Sequence, residues 1–169
     1  MGNTLATMIT LTTYGTWLRG DRRRWVDEGI VHPPDPVLEA ADRLRLKHDP
    51  LFFARGLRHR VGRAMGESYR TRIGGKIYAM TVCSWHVHVV IGPAPASLAL
   101  QAKCLKDAVR WELKLGRPIW GDGYDKRYCF DTAAVRARVE YVHRHNIEDG
   151  LPVDPWDFIV PFDGPSSPR

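Results

Sequence analysis

Residues Lys76 to Ile91 read KIYAMTVCSWHVHVVI. Two runs, Lys76–Cys83 and Trp85–Ile91, are dense in β-branched and aromatic residues, and only Ser84 separates them. That pattern predicts two strands forming a hairpin pair. Side chains alternate faces along a strand. Val87, Val89 and Ile91 therefore point into a core, while His86 and His88 share the other face, about 7 Å apart by strand rise. Two imidazoles converging from one strand suit a divalent metal bonded at about 2.1 Å to each nitrogen. The competing reading is two ordinary histidines on a half-exposed strand.

Outward from this hairpin, the other elements follow from periodicity and punctuation. Met8–Leu18 (MITLTTYGTWL) reads as a strand. Arg19–Pro34, with Gly20, Gly29, Pro33 and Pro34, reads as a loop. Asp35-Pro36 starts a helix whose inner face would be Val37, Ala40, Ala41 and Leu44, and His48-Asp49-Pro50 stops it. A second helix from Leu51 would bury Leu57, Val61, Ala64, Met65 and Ser68, weakened by Gly56, Gly62 and Gly66. Ser97 opens a third, with Leu98, Ala102, Leu105, Val109 and Leu113 on one face and Gly116 at its end. Arg117–Phe130 is irregular or a short strand. Asp131 or Thr132 caps a last helix to about Asn146, with Val135, Val139 and Val142 as its apolar stripe. No internal repeat is present. Helices mixed with paired strands predict an α+β fold, with helices against a largely antiparallel sheet. The expected organisation is one domain over residues 1–150 and a Pro-rich tail over 151–169, extended and partly disordered.

The counts are consistent with that size. The chain has 169 residues, of which 44% are hydrophobic and 26% charged, which excludes bulk disorder and fibrous repeats. Val87–Ile91 is too short to cross a bilayer and no other stretch comes closer. The first residues show no basic region followed by an apolar core, so no signal peptide is expected. Three cysteines without Cys-x-x-Cys spacing argue against a disulfide frame and for a reducing, cytoplasmic compartment.

The net charge of +6 favours a polyanionic partner. Arginine is concentrated at Arg19 and Arg22–Arg24, and at Arg55, Arg58, Arg60, Arg63, Arg70 and Arg72, where Glu67 is the one acid between Leu51 and Arg72. The guanidinium fork binds phosphate in two places at once. Arg22, Arg23, Arg24, Arg55, Arg58, Arg60 and Arg63 are therefore candidate nucleic-acid-binding residues. A solvated basic face is the plainer alternative. Trp17, Trp25 and Trp120 could stack on unpaired bases, or be structural.

The second informative stretch is VEYVHRHN, Val139–Asn146. On a helix Tyr141 and His145 are four apart and share a face, and Tyr141 lies about 100° from Val142, at the border of the valine stripe. The helix can bury its valines and still present both. Read plainly, Tyr141 is a packing tyrosine and His145 a residue favoured near a helix C-terminus.

His-hydrophobic-His on a strand, followed by a helix carrying Tyr and His one turn apart, resembles the single-tyrosine HUH transposases, including the REP-associated tyrosine transposases. The resemblance runs through LTTYGTWLRGD, WHVHVVI, the helix after it, PIWGDGYDKRYCFD and the Tyr141 helix. It implies a ferredoxin-like, RRM-like sandwich with an antiparallel sheet. It implies that His86 and His88, with His145 as third ligand, hold Mg²⁺ or Mn²⁺. It implies that Tyr141 is the catalytic nucleophile, cutting and rejoining single-stranded, hairpin-containing DNA through a 5′-phosphotyrosine. It also implies a homodimer in which the helix of one chain completes the partner's site, and a bacterial-type, nucleoid-associated location. Tyrosine is a weak nucleophile at neutral pH, with an ordinary pKa of about 10, so such a site needs charge stabilisation or a base. Tyr128 is the fallback nucleophile.

Two other readings remain open at this level. One is a domesticated protein that binds DNA or RNA hairpins without cutting. The other is a zinc hydrolase built on His86 and His88, with Tyr141 incidental. Histidine-triad nucleotide hydrolases fit poorly, because Val90 stands where a third histidine is needed.

Overall fold

The computed structural model describes residues 3–164. Six strands and four helices follow one another: β1 (Ala6–Thr12), β2 (Trp25–Asp27), β3 (Ile30–His32), α1 (Pro36–Arg45), α2 (Arg55–Arg72), β4 (Ile77–Val82), β5 (His86–Ile91), α3 (Leu98–Leu113), β6 (Asp125–Cys129) and α4 (Thr132–Glu148). Strands β4, β5, β1 and β6 form one sheet in that spatial order, and each neighbouring pair is antiparallel. The fold is therefore mixed α and β around an antiparallel sheet, as the sequence predicts.

Strand alternation sorts the sheet into two faces. Ile9, Leu11, Met80, Val82, Val87, Val89 and Ile91 pack on one face with Val61, Met65 and Tyr69 of α2 and Ala102, Leu105 and Val109 of α3. Ala6, Met8, Ala79, Val90 and Cys129 pack on the other with Val135 and Val142 of α4. The hairpin turn at Ser84 is closed by the Cys83 N–H donating to the His86 carbonyl at 2.9 Å. Asp131 caps α4 by accepting from the Ala134 N–H.

The first strand ends at Thr12 and does not run to Leu18. The chain turns there, with Thr16 Oγ1 donating to the Thr13 carbonyl at 2.7 Å and Gly15 at φ 73°. The expected Arg19–Pro34 loop contains the small β2–β3 hairpin, with Trp25 opposite His32 and their rings stacked at 4.3 Å. Helix α1 starts at the Asp35 cap as expected, but its expected inner face is outside. Val37 and Leu44 are 81% and 89% exposed, and no residue of α1 is buried. Arg19 holds the opposite side of the helix through a two-point ion pair with Asp42 at 2.7 and 2.8 Å. Helix α2 begins at Arg55 rather than Leu51, because Leu51 and Phe53 donate their N–H groups to the Tyr14 and Ser84 carbonyls.

The glycines of α2 are a docking groove. A Cβ on Gly62 would lie 2.1 Å from the Trp156 ring, and one on Gly66 2.0 Å from the Phe158 ring. Both aromatic rings are buried in the core that α2 and α3 share. Ile159 forms a parallel bridge to Ile77, the Val160 N–H donates to the Ile77 carbonyl at 2.9 Å, and Phe162 meets Tyr78 edge-on. Residues 151–164, expected as an extended and partly disordered tail, thus cross the edge strand β4 and bury apolar surface at both faces of the sheet. Pairing here also removes an open sheet edge. Pro165 and Pro168 lie outside the described residues.

Candidate metal centre

His86 and His88 are central-sheet residues on β5, and strand alternation turns both toward α4. Both are buried, His86 at 8% and His88 at 7% exposure. Their ring centroids are 4.5 Å apart. On α4, the one-turn spacing of Tyr141 and His145 places their rings 4.8 Å apart. Docking of Val135 and Val142 on the sheet then carries that pair over the histidines. His145 is 5.7 Å from His86 and 5.3 Å from His88, and Tyr141 is 5.3 Å from His88. All four side chains predicted from sequence converge within one chain. In the single chain described, only the Phe130–Asp131 turn separates β6 from α4, and α4 folds back onto the sheet that carries His86 and His88.

Three supporting residues were not singled out from sequence. Thr10 Oγ1 lies 2.8 Å from Nδ1 of His88, its register partner on β1. Asn146, fully buried, donates from Nδ2 to the Met80 carbonyl at 3.0 Å and to the Val153 carbonyl at 2.9 Å. It pins the end of α4 to β4 and to the tail, one residue after His145. A polar residue four after Val142, continuing the apolar stripe, was the signal for it. Cys83 is the third. Its Sγ and a ring nitrogen of each of His86 and His145 lie within 4.8 Å of one another. Cys83 stands just before the tight turn, directly across the hairpin from His86, so the hairpin reading contained that proximity too.

The electrostatics favour uncharged imidazoles. Burial pushes His86 down to about 4, with His145 and Arg23 acting in the same direction. Burial pushes His88 down to about 3, and His86 and His145 add to it. Neutral imidazole is the metal-binding form. Burial raises the Cys83 thiol. Nδ1 of His86 is buried without a hydrogen-bond partner among the described residues. A buried ring nitrogen left without a partner fits a metal ligand.

The arginines divide into two groups. Arg23 chelates Asp21 at 2.7 Å and lies 4.3 Å over the Trp85 ring, which in turn meets His86. Arg55 donates to the Asp149 carbonyl at 2.6 Å. Arg58 pairs with the Asp149 carboxylate at 3.1 Å, and Arg60 with Glu112. Arg22, Arg24 and Arg63 make no side-chain hydrogen bond or ion pair among the described residues and are exposed. Trp17, Trp25, Trp120 and Tyr124 line one open cavity of about 530 Å³ beside Thr10 and Thr12. The indole N–H groups of the three tryptophans donate to the Arg24, Pro33 and Lys106 carbonyls. Tyr128 sits on β6, half exposed and beside Phe130.

No protein-family model matches the chain, and no curated protein is significantly similar to it in sequence. Among solved structures, a REP-associated tyrosine transposase bound to a REP hairpin superposes with a TM-score of 0.51, over 94% of this chain and 78% of that one, at 15% identity. At that identity the likeness is one of fold. No helix among the described residues is long and apolar enough to cross a membrane.

Proposed function

We propose that this protein is a tyrosine transposase of the HUH type, a metal-dependent endonuclease and strand transferase acting on single-stranded, hairpin-containing DNA. The observation that carries the reading is the convergence of Tyr141 and His145 on His86 and His88, with ring centroids 4.8 to 5.7 Å apart. The succession β1-α2-β4-β5-α3-β6, with the β2–β3 hairpin and α1 inserted after β1, supports a ferredoxin-like core for it. The likeness in fold to a hairpin-bound tyrosine transposase supports the substrate class.

His86, His88 and His145 would hold the cation, Mg²⁺ or Mn²⁺; burial keeps His86 and His88 in the neutral, ligating form, and the partnerless Nδ1 of His86 fits such an ion. Bound there, it supplies polarisation of a phosphoryl oxygen and offsets charge developing in the transition state. The chain's own residues do the rest. Thr10 holds the His88 ring, and Asn146 holds the register of α4. The Tyr141 oxygen attacks the phosphorus of a DNA phosphodiester. The bond to the 3′ oxygen breaks, and the phenolic proton is in effect exchanged for the phosphoryl group, leaving a 5′-phosphotyrosine and a free 3′-hydroxyl. Reversal by another 3′-hydroxyl rejoins DNA without ATP, because the phosphoester energy is retained. Arg22, Arg24 and Arg63, with guanidinium groups not engaged internally, contact the DNA backbone. Arg23, Arg55, Arg58 and Arg60 shape the protein.

The test is a covalent-adduct gel with 3′-labelled single-stranded hairpin oligonucleotides, with Mn²⁺ or EDTA, denatured before loading. A metal-dependent shifted band absent from Tyr141→Phe is expected. A band that survives in Tyr141→Phe removes Tyr141 as the nucleophile. Hairpin binding without any adduct, on substrates taken from the gene's own flanks, would make the protein a hairpin-binding module instead.

A further inference from the structure

Three donors stand together at the end of the β4–β5 hairpin: Cys83 Sγ and one nitrogen from each of His86 and His145, all within 4.8 Å of one another. Cys83 and His86 are paired across the turn by a backbone hydrogen bond, so their separation is set by the hairpin and not by loop geometry. Nδ1 of His86 is buried and has no hydrogen-bond partner among the described residues, so that ring has unmet bonding capacity. Among the described residues, the thiol's hydrogen-bond contact is with the Thr81 hydroxyl at 3.8 Å, a weak contact that a metal bond would outcompete. His88 lies beside these three, with Thr10 engaging its Nδ1 and leaving Nε2 free.

We propose that Cys83 is a metal ligand, joining His86 and His145, so that the centre prefers a zinc-type ion over a magnesium-type ion. This rests on the reading of the histidines as a metal centre and changes the ion preferred there from the magnesium type to the zinc type. Magnesium takes hard oxygen donors and keeps its waters. A thiolate beside imidazoles is a soft set that zinc accepts readily, with about 2.3 Å to sulfur and 2.1 Å to nitrogen. Those bond lengths draw the donors somewhat closer than 4.8 Å, which side-chain rotation on the hairpin and α4 provides. On binding, the Cys83 sulfur forms its bond to the ion and the thiol proton leaves to solvent, so uptake releases a proton. The other two cysteines stand apart from this set: Cys104 contacts Ser68 of α2, and Cys129 lies in the core beneath α4. The thiolate signature is therefore assignable to one residue.

The experiment is a Co²⁺ titration of the full chain under reducing conditions, followed by displacement with Zn²⁺ and a separate Mn²⁺ titration. One equivalent of Co²⁺ should give a near-ultraviolet thiolate-to-metal charge-transfer band that is absent from Cys83→Ser. Zinc affinity should fall at least about tenfold in Cys83→Ser, while Mn²⁺ affinity moves less than about twofold. In the unaltered protein, Zn²⁺ should also protect Cys83 from alkylation, read by peptide mapping, which requires no variant to fold. Cobalt binding without the band, a band that persists in Cys83→Ser, or unprotected Cys83 overturns this inference and leaves the histidine centre standing. If none of the three ions binds, the histidine centre falls with it.

Discussion

The Thr10 hydroxyl meets Nδ1 of His88 at 2.8 Å across the β1–β5 ladder, where the two residues are register partners. A histidine that ligates through one nitrogen commonly commits the other to such a partner, which sets both ring orientation and tautomer. Thr10→Val keeps the shape and removes the hydroxyl. Metal affinity should drop by about tenfold or more, with Thr10→Ser close to the unaltered protein. Isothermal titration with Mn²⁺ reads this. Equal affinity in all three proteins would show that Thr10 serves packing only.

Asn146 is the second support. Asn146→Ala leaves the Met80 and Val153 carbonyls without their donor at a fully buried position. A loss of about 2–3 kcal/mol in urea unfolding is expected. The same variant frees the end of α4, so the covalent adduct should also weaken although no metal donor was changed. A stability loss with adduct formation at the original rate would separate the two roles and reject the second.

Glycine at position 66 is required by the tail. An alanine there gains up to about 1 kcal/mol of helix propensity, but its methyl would sit 2.0 Å from the Phe158 ring. Expelling that ring costs about 3 kcal/mol of burial and packing, so Gly66→Ala should be destabilised by about 2 kcal/mol and cleaved faster near the C-terminus by protease. Gly56→Ala, with open space around the new methyl, should stay within a few tenths of a kcal/mol or gain. Equal behaviour of the two variants would mean that the tail does not need the groove.

Acid should unfold the metal-free protein early. His86 and His88 have folded values of about 4 and 3, below the ordinary imidazole value near 6.5. The unfolded chain therefore binds more protons below that pH, and stability falls as pH drops from about 6.5 toward 4, by a few kcal/mol in order of magnitude. Circular dichroism in EDTA should show this slope, and His88→Gln should flatten it. A stability profile level between pH 6.5 and 4 would contradict the burial of these rings.

Much of the site was legible in sequence because its spacing is local. A two-residue step on a strand puts His86 and His88 on one face, and a four-residue step on a helix does the same for Tyr141 and His145. Both relations follow from backbone geometry alone. The cap at Asp35 and the hairpin at Ser84 were readable for the same reason. The misread elements each depended on distant partners. Val37 and Leu44 have helical spacing, yet nothing among the described residues covers that side of α1. Gly62 and Gly66 look like helix weakness until Trp156 and Phe158, more than ninety residues later, are seen to fill the space.

By itself, then, the amino-acid sequence determined an α+β chain and two pairs of chemically matched side chains, because periodicity acts within a few residues. Only the tertiary structure decided that the two pairs meet, that Thr10 joins them, and which arginines are left unengaged. Those outcomes depend on which face of the sheet α4 covers and on where Asp149, Glu112 and Asp21 come to lie. Contacts of that kind are set by the packing of the whole core, and no local spacing encodes them.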